Sequence, residues 1–172
     1  GVIPYSNVGQ KWVTNTISYV TDPANGTSWG SPRRYEVGGG AVDYITSPYG
    51  INGKLVYYRD YWTGDRFSRV PLSGAFTHFE LEKPDGSKRI YSHLDGAQGS
   101  ITCTPSCVRL DSITDATGKV TTFSYELPAY PLLITKVTDP FGRYSTITYD
   151  GSAKLLSITD PIGITSTVAY DG

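Results

Sequence analysis

An Asp-x-x-Gly turn followed seven residues later by Tyr occurs three times in the last third of this 172-residue chain. The copies are Asp115/Gly118/Tyr125, Asp139/Gly142/Tyr149 and Asp160/Gly163/Tyr170, and the period between them is 24 and then 21 residues. Periods of this size imply one small supersecondary unit laid down repeatedly, each burying its apolar side against its neighbours. Such a chain makes a surface or a wall rather than a catalytic pocket.

The turns specify hairpins. Asp139-Pro140-Phe141-Gly142 and Asp160-Pro161-Ile162-Gly163 carry the type I code, with Asp first, Pro with its preset φ second and Gly fourth. Gly in a left-handed conformation closes a three-residue loop with a bulge. Asp115-Ala116-Thr117-Gly118 keeps Asp and Gly; Lys83-Pro84-Asp85-Gly86 keeps Pro and Gly and reads as a degenerate fourth copy. Ser47-Pro48-Tyr49-Gly50 has the same form with weaker flanks. Register follows: Asp115 opposes Lys119, Asp139 opposes Arg143, Val137 faces Ser145 and Ile158 faces Ser166.

Alternation along these strands collects apolar residues on one flank. They are Ile113, Phe123 and Tyr125, then Val137, Ile147 and Tyr149, then Leu156, Ile158, Val168 and Tyr170, with Phe79, Leu81, Tyr91 and His93 from the degenerate copy. The other flank is Ser, Thr and charge. Asp150-Gly151-Ser152-Ala153 returns the chain between copies two and three, and residues 126–131, with Pro128 and Pro131, make the longer return that accounts for the extra three residues of period.

Fourteen Tyr, 19 Gly and 11 Pro, with abundant Thr, Ser, Val and Ile, favour strands and turns, and no window carries a capped 3.6-residue apolar period. The fold class expected is all-β: successive antiparallel hairpins forming an open, curved sheet. Residues 76–172 form the hairpin-repeat region, with clear copies over 110–172. Residues 1–75 are an irregular β region that caps or continues the sheet. Ile17 to Thr21 reads as a strand, Gly38-Gly39-Gly40 as a connector, and Leu55 to Tyr58 with Phe67 to Val70 as a longer hairpin. With no Met, a start at Gly1 and an end at a repeat boundary, the chain reads as a piece of something longer.

A net charge of −1 gives no basic footprint for nucleic acid or anionic lipid, and no apolar run is long enough for a membrane span. Cys103 and Cys107 frame Cys-Thr-Pro-Ser-Cys. An extended strand would hold them too far apart to bridge, but Pro105 suggests a turn that closes the gap. A disulfide there implies an oxidising compartment; the alternative is a pair of reduced thiols in a surface loop.

The run Leu155 to Gly172, Leu-Leu-Ser-Ile-Thr-Asp-Pro-Ile-Gly-Ile-Thr-Ser-Thr-Val-Ala-Tyr-Asp-Gly, resembles the YD repeat of the Rhs (rearrangement hotspot) proteins, as does Lys136 to Asp150. Phe79 to Tyr91 is similar to the segment that precedes the first repeats in that family. The Tyr-Asp pair is intact at Tyr149-Asp150 and Tyr170-Asp171, whereas Tyr125 is followed by Glu126. The resemblance implies a non-catalytic scaffold. Successive hairpins would join a β-shell around a C-terminal toxin or effector, in a secreted or cell-surface bacterial protein related to toxin-complex shell components and teneurins. Its partners would be further repeats and the effector of the same parent chain.

No enzyme, cofactor or metal is expected. His78, Glu80 and Glu82 share one side of a strand, read as a solvated face rather than an acid/base cluster. Asp139 and Asp160 are explained by their turns. Trp29, Tyr57, Tyr58, Tyr61 and Trp62 cluster with Phe67 in the irregular half. They give an alternative function, a carbohydrate-binding or adhesive surface, set against a role as core rings. A further alternative is self-association through open sheet edges into a fibre.

Overall fold

Alternation of apolar and hydroxyl residues between tight turns leaves the chain one way to satisfy its backbone, which is lateral strand pairing. The computed structural model describes residues 18–21, 32–36, 40–44, 49–59, 63–94, 107–128, 130 and 133–170. Among them there are fourteen strands and no helix: β1 (Ser18–Thr21), β2 (Arg33–Glu36), β3 (Gly40–Asp43), β4 (Tyr49–Ile51), β5 (Lys54–Arg59), β6 (Arg66–Val70), β7 (His78–Glu82), β8 (Lys88–Leu94), β9 (Cys107–Thr114), β10 (Val120–Ser124), β11 (Lys136–Thr138), β12 (Tyr144–Tyr149), β13 (Leu155–Thr159) and β14 (Thr165–Thr167). All belong to one open antiparallel sheet, in which β4 to β14 follow one another in sequence order.

The sheet forks at β9. β8 pairs along most of its length, β10 takes Ser112–Thr114, and β1 takes Cys107–Arg109 on the same side as β10. β2 and β3 extend the short arm that β1 begins. Two register shifts between β8 and β9 flank Tyr91; such bulges bend a strand and sharpen its twist. The arm lies over one face of the long strip. Tyr44, just after β3, stacks on Phe67 of β6 with centroids 4.1 Å apart, although the two strands are far apart along the sheet path. Ser18 Oγ and the Tyr91 hydroxyl hydrogen-bond at 2.9 Å. Glu36 pairs with both Arg34 and Arg89, and Arg34 donates to the Tyr44 hydroxyl at 2.9 Å. Burial pushes that hydroxyl up to about 12 against the opposing pull of Arg34, so it stays protonated.

The core sits between arm and strip. Val20, Tyr44, Tyr57, Phe67, Phe79, Leu81, Tyr91, Val108, Leu110 and Phe123 form one buried cluster. Phe67 and Phe79 stack at 5.2 Å within it, and Phe76 packs on Phe79 at 4.9 Å. Burial then fades along the strip: Phe79 is 0% exposed, Phe123 6% and Ile158 41%.

The predicted registers hold: Val137 opposes Ser145 and Ile158 opposes Ser166. Lys83 to Gly86 closes the β7–β8 hairpin, with Gly86 at φ 85°. Two expectations are corrected. Tyr49 and Gly50 are not part of a turn but open β4, while Ser47 and Pro48 lie outside the described residues. The turn that joins β4 to β5 is Asn52-Gly53, with φ of 50° and 73°, a two-residue loop of the mirror-image kind that suits strand twist. Leu156 is exposed, and Leu155 is buried in its stead. A bulge pairs Thr148 with Ser157 and Tyr149 with Leu155, leaving Leu156 as the extra residue and reversing the flank of everything before it.

Gly142 tests the hairpin loops. Its φ is 80° and a Cβ there would meet nothing within 4 Å, so the cost of a side chain is purely conformational. Gly142→Val should destabilise the chain by about 2 kcal/mol, since left-handed backbone costs an L-residue about 1–2 kcal/mol and β-branching adds to it. Gly142→Asn should cost less than half of that in the same urea titration.

Candidate functional site

The repeating hairpin is the feature from which function must be built. In each of the three turns the Gly N–H donates to the Asp carbonyl at 3.0–3.1 Å, and the Asp N–H donates to the carbonyl four residues on at 2.8–2.9 Å. The Asp carboxylate accepts two more backbone N–H groups, from positions two and four residues later. These are Thr117 and Lys119, Phe141 and Arg143, and Ile162 and Ile164. Asp150, the Asp of the Tyr-Asp pair, does the same for Ser152 and Lys154, both at 2.8 Å. The return turn therefore copies the tip turns, with Ala153 at φ 64° where the tips use Gly.

Tyrosine closes the other end of each hairpin. The Tyr125 hydroxyl donates to the Leu110 carbonyl at 2.6 Å, Tyr149 to Ile134 at 2.8 Å, and Tyr170 to Leu155 at 3.0 Å. In every copy the acceptor lies 15 residues upstream, on the entering side of the same hairpin. Burial pushes the Tyr149 hydroxyl up to about 12, and raises that of Tyr125 further. Both remain donors at any ordinary pH. Tyr149→Phe keeps the ring and deletes the bond, and is expected to cost about 1 kcal/mol in urea unfolding. His93, in the tyrosine place of the degenerate copy, stacks on Tyr125 with centroids 4.3 Å apart.

The side of the strip bearing His78, Glu80 and Glu82 is not a solvated face, as the sequence suggested. Glu80 is buried, and its carboxylate takes Lys54 Nζ at 2.9 Å and Lys88 Nζ at 3.2 Å. Burial opposes its ionisation, but the two lysines outweigh that and hold the carboxyl below the ordinary range. Glu82 pairs with Arg66. His78 is pushed down, by burial first and then by the Lys54 charge, which Glu80 and Asp111 only partly offset. These groups pair off as a charged lining of the sheet rather than as an acid/base relay.

The Thr117 hydroxyl first and then backbone N–H groups hold the Asp115 carboxyl down, and at Asp139 the Arg143 and backbone hydrogen bonds overcome burial to do the same. Carboxyls depressed by folding stabilise the fold above their unfolded values and lose that contribution as they protonate. With ordinary values of 6.5 for His78, 4.5 for Glu and 3.8 for Asp, all depressed by folding, stability is expected to decline gently as His78 begins to charge below about pH 6.5 and more steeply below about pH 4.5. Thermal midpoints across pH 2–7 measure this; a midpoint that rises on acidification would refute it.

Of the aromatic residues offered as a sugar platform, Trp29, Tyr61 and Trp62 lie outside the described residues, as does the side chain of Tyr58. Tyr57 is a correction. It is 5% exposed and packs in the core against Phe67 and Phe79, because a register shift between β5 and β6 turns its ring inward. Phe67 is wholly buried. Cys107 is buried at the start of β9 and is disulfide-bonded; Cys103, the other cysteine of the chain, lies outside the described residues. No described helix is long and apolar enough to cross a membrane. Compared with known proteins, the chain matches no family model and no curated protein.

Proposed function

We propose that this chain is a non-catalytic structural module, a strip of β-wall of the Rhs/YD-repeat kind that helps enclose a C-terminal toxin or effector. The observation that carries the reading is the doubly fastened hairpin. An Asp carboxylate secures the tip and a Tyr hydroxyl secures the open end, with the same atoms and the same 15-residue reach in three successive copies. A unit closed at both ends by its own side chains can be repeated side by side indefinitely, and its conserved chemistry within the chain is spent on holding backbone. The arm β1–β3 over the first hairpins supports a terminal cap for such a strip, where the apolar face would otherwise meet water. The disulfide at Cys107 supports an oxidising compartment, in keeping with secretion or a cell-surface setting.

The test is the gene. Downstream of the codon for Gly172 it should encode more Asp-x-x-Gly hairpins with Tyr seven residues after the Gly, then a C-terminal region unlike them. In the full-length protein that region should resist protease doses that digest it when expressed alone. A reading frame without further repeats, or a C-terminal region digested equally in both settings, overturns the proposal.

A further inference from the structure

The loop between β4 and β5 carries a chemistry that the fold does not use. Asn52 and Gly53 are the whole of it, both exposed, at φ of 50° and 73°. Ile51 pairs with Lys54 across its base. The closing backbone bonds fall to those two residues, which leaves the Gly53 N–H outside the ladder. A Cβ built on Gly53 would meet nothing within 4 Å, so no side chain crowds its amide.

An Asp or Asn side chain followed by glycine can close on the next backbone nitrogen, because glycine puts no Cβ in the path. Three such pairs lie among the described residues: Asn52-Gly53, Asp85-Gly86 and Asp150-Gly151. Asp85 accepts the Ser87 N–H at 2.8 Å, and Asp150 accepts those of Ser152 and Lys154 at 2.8 Å. These bonds hold both carboxylates toward amides beyond the glycine, and an ionised carboxylate is in any case a poor target for a nucleophile. Among the described residues no such anchor holds the Asn52 side chain. Its carboxamide is neutral and has ammonia as a leaving group.

We propose that Asn52 is a site of spontaneous deamidation, with water as the co-reactant, and that its main product breaks the β4–β5 turn. The Gly53 nitrogen gives up its proton to hydroxide and forms a bond to Asn52 Cγ. The Cγ–Nδ2 bond breaks, the departing nitrogen takes up a proton, and ammonia leaves. Water then opens the succinimide ring. Opening at Cγ gives Asp; opening at the main-chain carbonyl gives an isoaspartyl link, with the chain routed through Cγ. Either way one water is consumed and one ammonia released. The isoaspartyl link adds an atom to the backbone of a two-residue loop whose mirror-image turn needs both residues at positive φ. Loop length fixes the register of Tyr49 opposite Val56, so that pairing is lost with it. Leu72 senses the change, because its N–H donates to the Gly53 carbonyl at 2.7 Å. The inference is independent of the wall reading.

Incubation of the whole chain at neutral to alkaline pH, followed by peptide mapping, tests the chemistry. The peptide holding residue 52 should become about one mass unit heavier, at a rate proportional to hydroxide. That rate should lie within about tenfold of the rate in urea, because an exposed two-residue loop opens at little cost. As isoaspartate accumulates, the Leu72 N–H should lose its protection from hydrogen exchange in proportion, while the Phe79 and Leu81 amides keep theirs. Asn52→Gly removes the reacting group and tolerates the same φ; its mass and its Leu72 protection should stay constant. Asn52→Asp supplies the charge without the extra atom, in a dipeptide that suits the same turn, and should start with Leu72 protected. No mass gain at residue 52 of the folded chain, a folded rate below the stated range, Leu72 protection unmoved in the isoaspartyl protein, or Leu72 already unprotected in Asn52→Asp would each overturn the proposal.

Discussion

Phe79→Ala should unfold this chain at temperatures where the parent is intact, at a cost of about 3–5 kcal/mol. Phe79 is fully buried, stacks on Phe67 and takes Phe76 against its edge, so truncation removes contacts on two sides. Collapse cannot refill the space cheaply, because the facing residues are rings held by strand pairing between β6 and β7 over five residues. A loss of this size is a large share of the stability of a single domain. Phe141→Ala is the control. Phe141 sits on a hairpin tip, 71% exposed, with Lys119 and Arg143 near its ring, and its removal should cost under about 1 kcal/mol. Urea unfolding at neutral pH separates the two; comparable losses would place the core elsewhere.

The second large effect is expected at Glu80. Glu80→Gln keeps the shape of the side chain and deletes the charge that two lysines share. Hydrogen bonds to charged groups are worth about 1.5–3 kcal/mol each to the fold, and part of that returns through water reaching the half-exposed lysines. A net loss of about 2 kcal/mol is expected at pH 7. Because the Glu80 carboxyl is held below its ordinary value, the wild-type advantage should be complete above about pH 4.5 and shrink as the pH falls below it. Once the pH is low enough to protonate the folded carboxyl, the two proteins should converge. A difference that stays constant with pH would show that Glu80 acts through shape and not charge.

What could be read in the sequence was local. Asp139-Pro140-Phe141-Gly142 dictates its own loop through side-chain hydrogen bonding and glycine φ, and the loop then sets Val137 opposite Ser145. Nothing beyond a few residues was needed. Asn52-Gly53 carries an equally plain signal, and it, not Ser47 to Gly50, makes the turn beside β4. The burial of Glu80 was not legible, because it depends on Lys54, 26 residues earlier, lying across the sheet. The inward turn of Tyr57 and the exchange of Leu155 for Leu156 follow from bulges, where one residue more or less on a strand reverses every face that follows. The fork at β9 joins Tyr19 to Arg109, a pairing that no periodicity announces. At the candidate site, alternation puts the recurrent Tyr ring on the apolar flank, but its hydroxyl bond depends on which carbonyl stands opposite.

The bond from each Tyr to its own hairpin has a mechanical corollary. Since the Tyr125, Tyr149 and Tyr170 hydroxyls each bond a carbonyl of their own hairpin, neighbouring units meet through short ladders and a few side-chain links, such as Tyr130 to the Gly151 carbonyl, Lys119 over the Phe141 ring and His93 against Tyr125. Cohesion is then a sum of nearest-neighbour terms along a line. A pull along the strip should therefore peel the hairpins one unit at a time, in discrete steps of similar size.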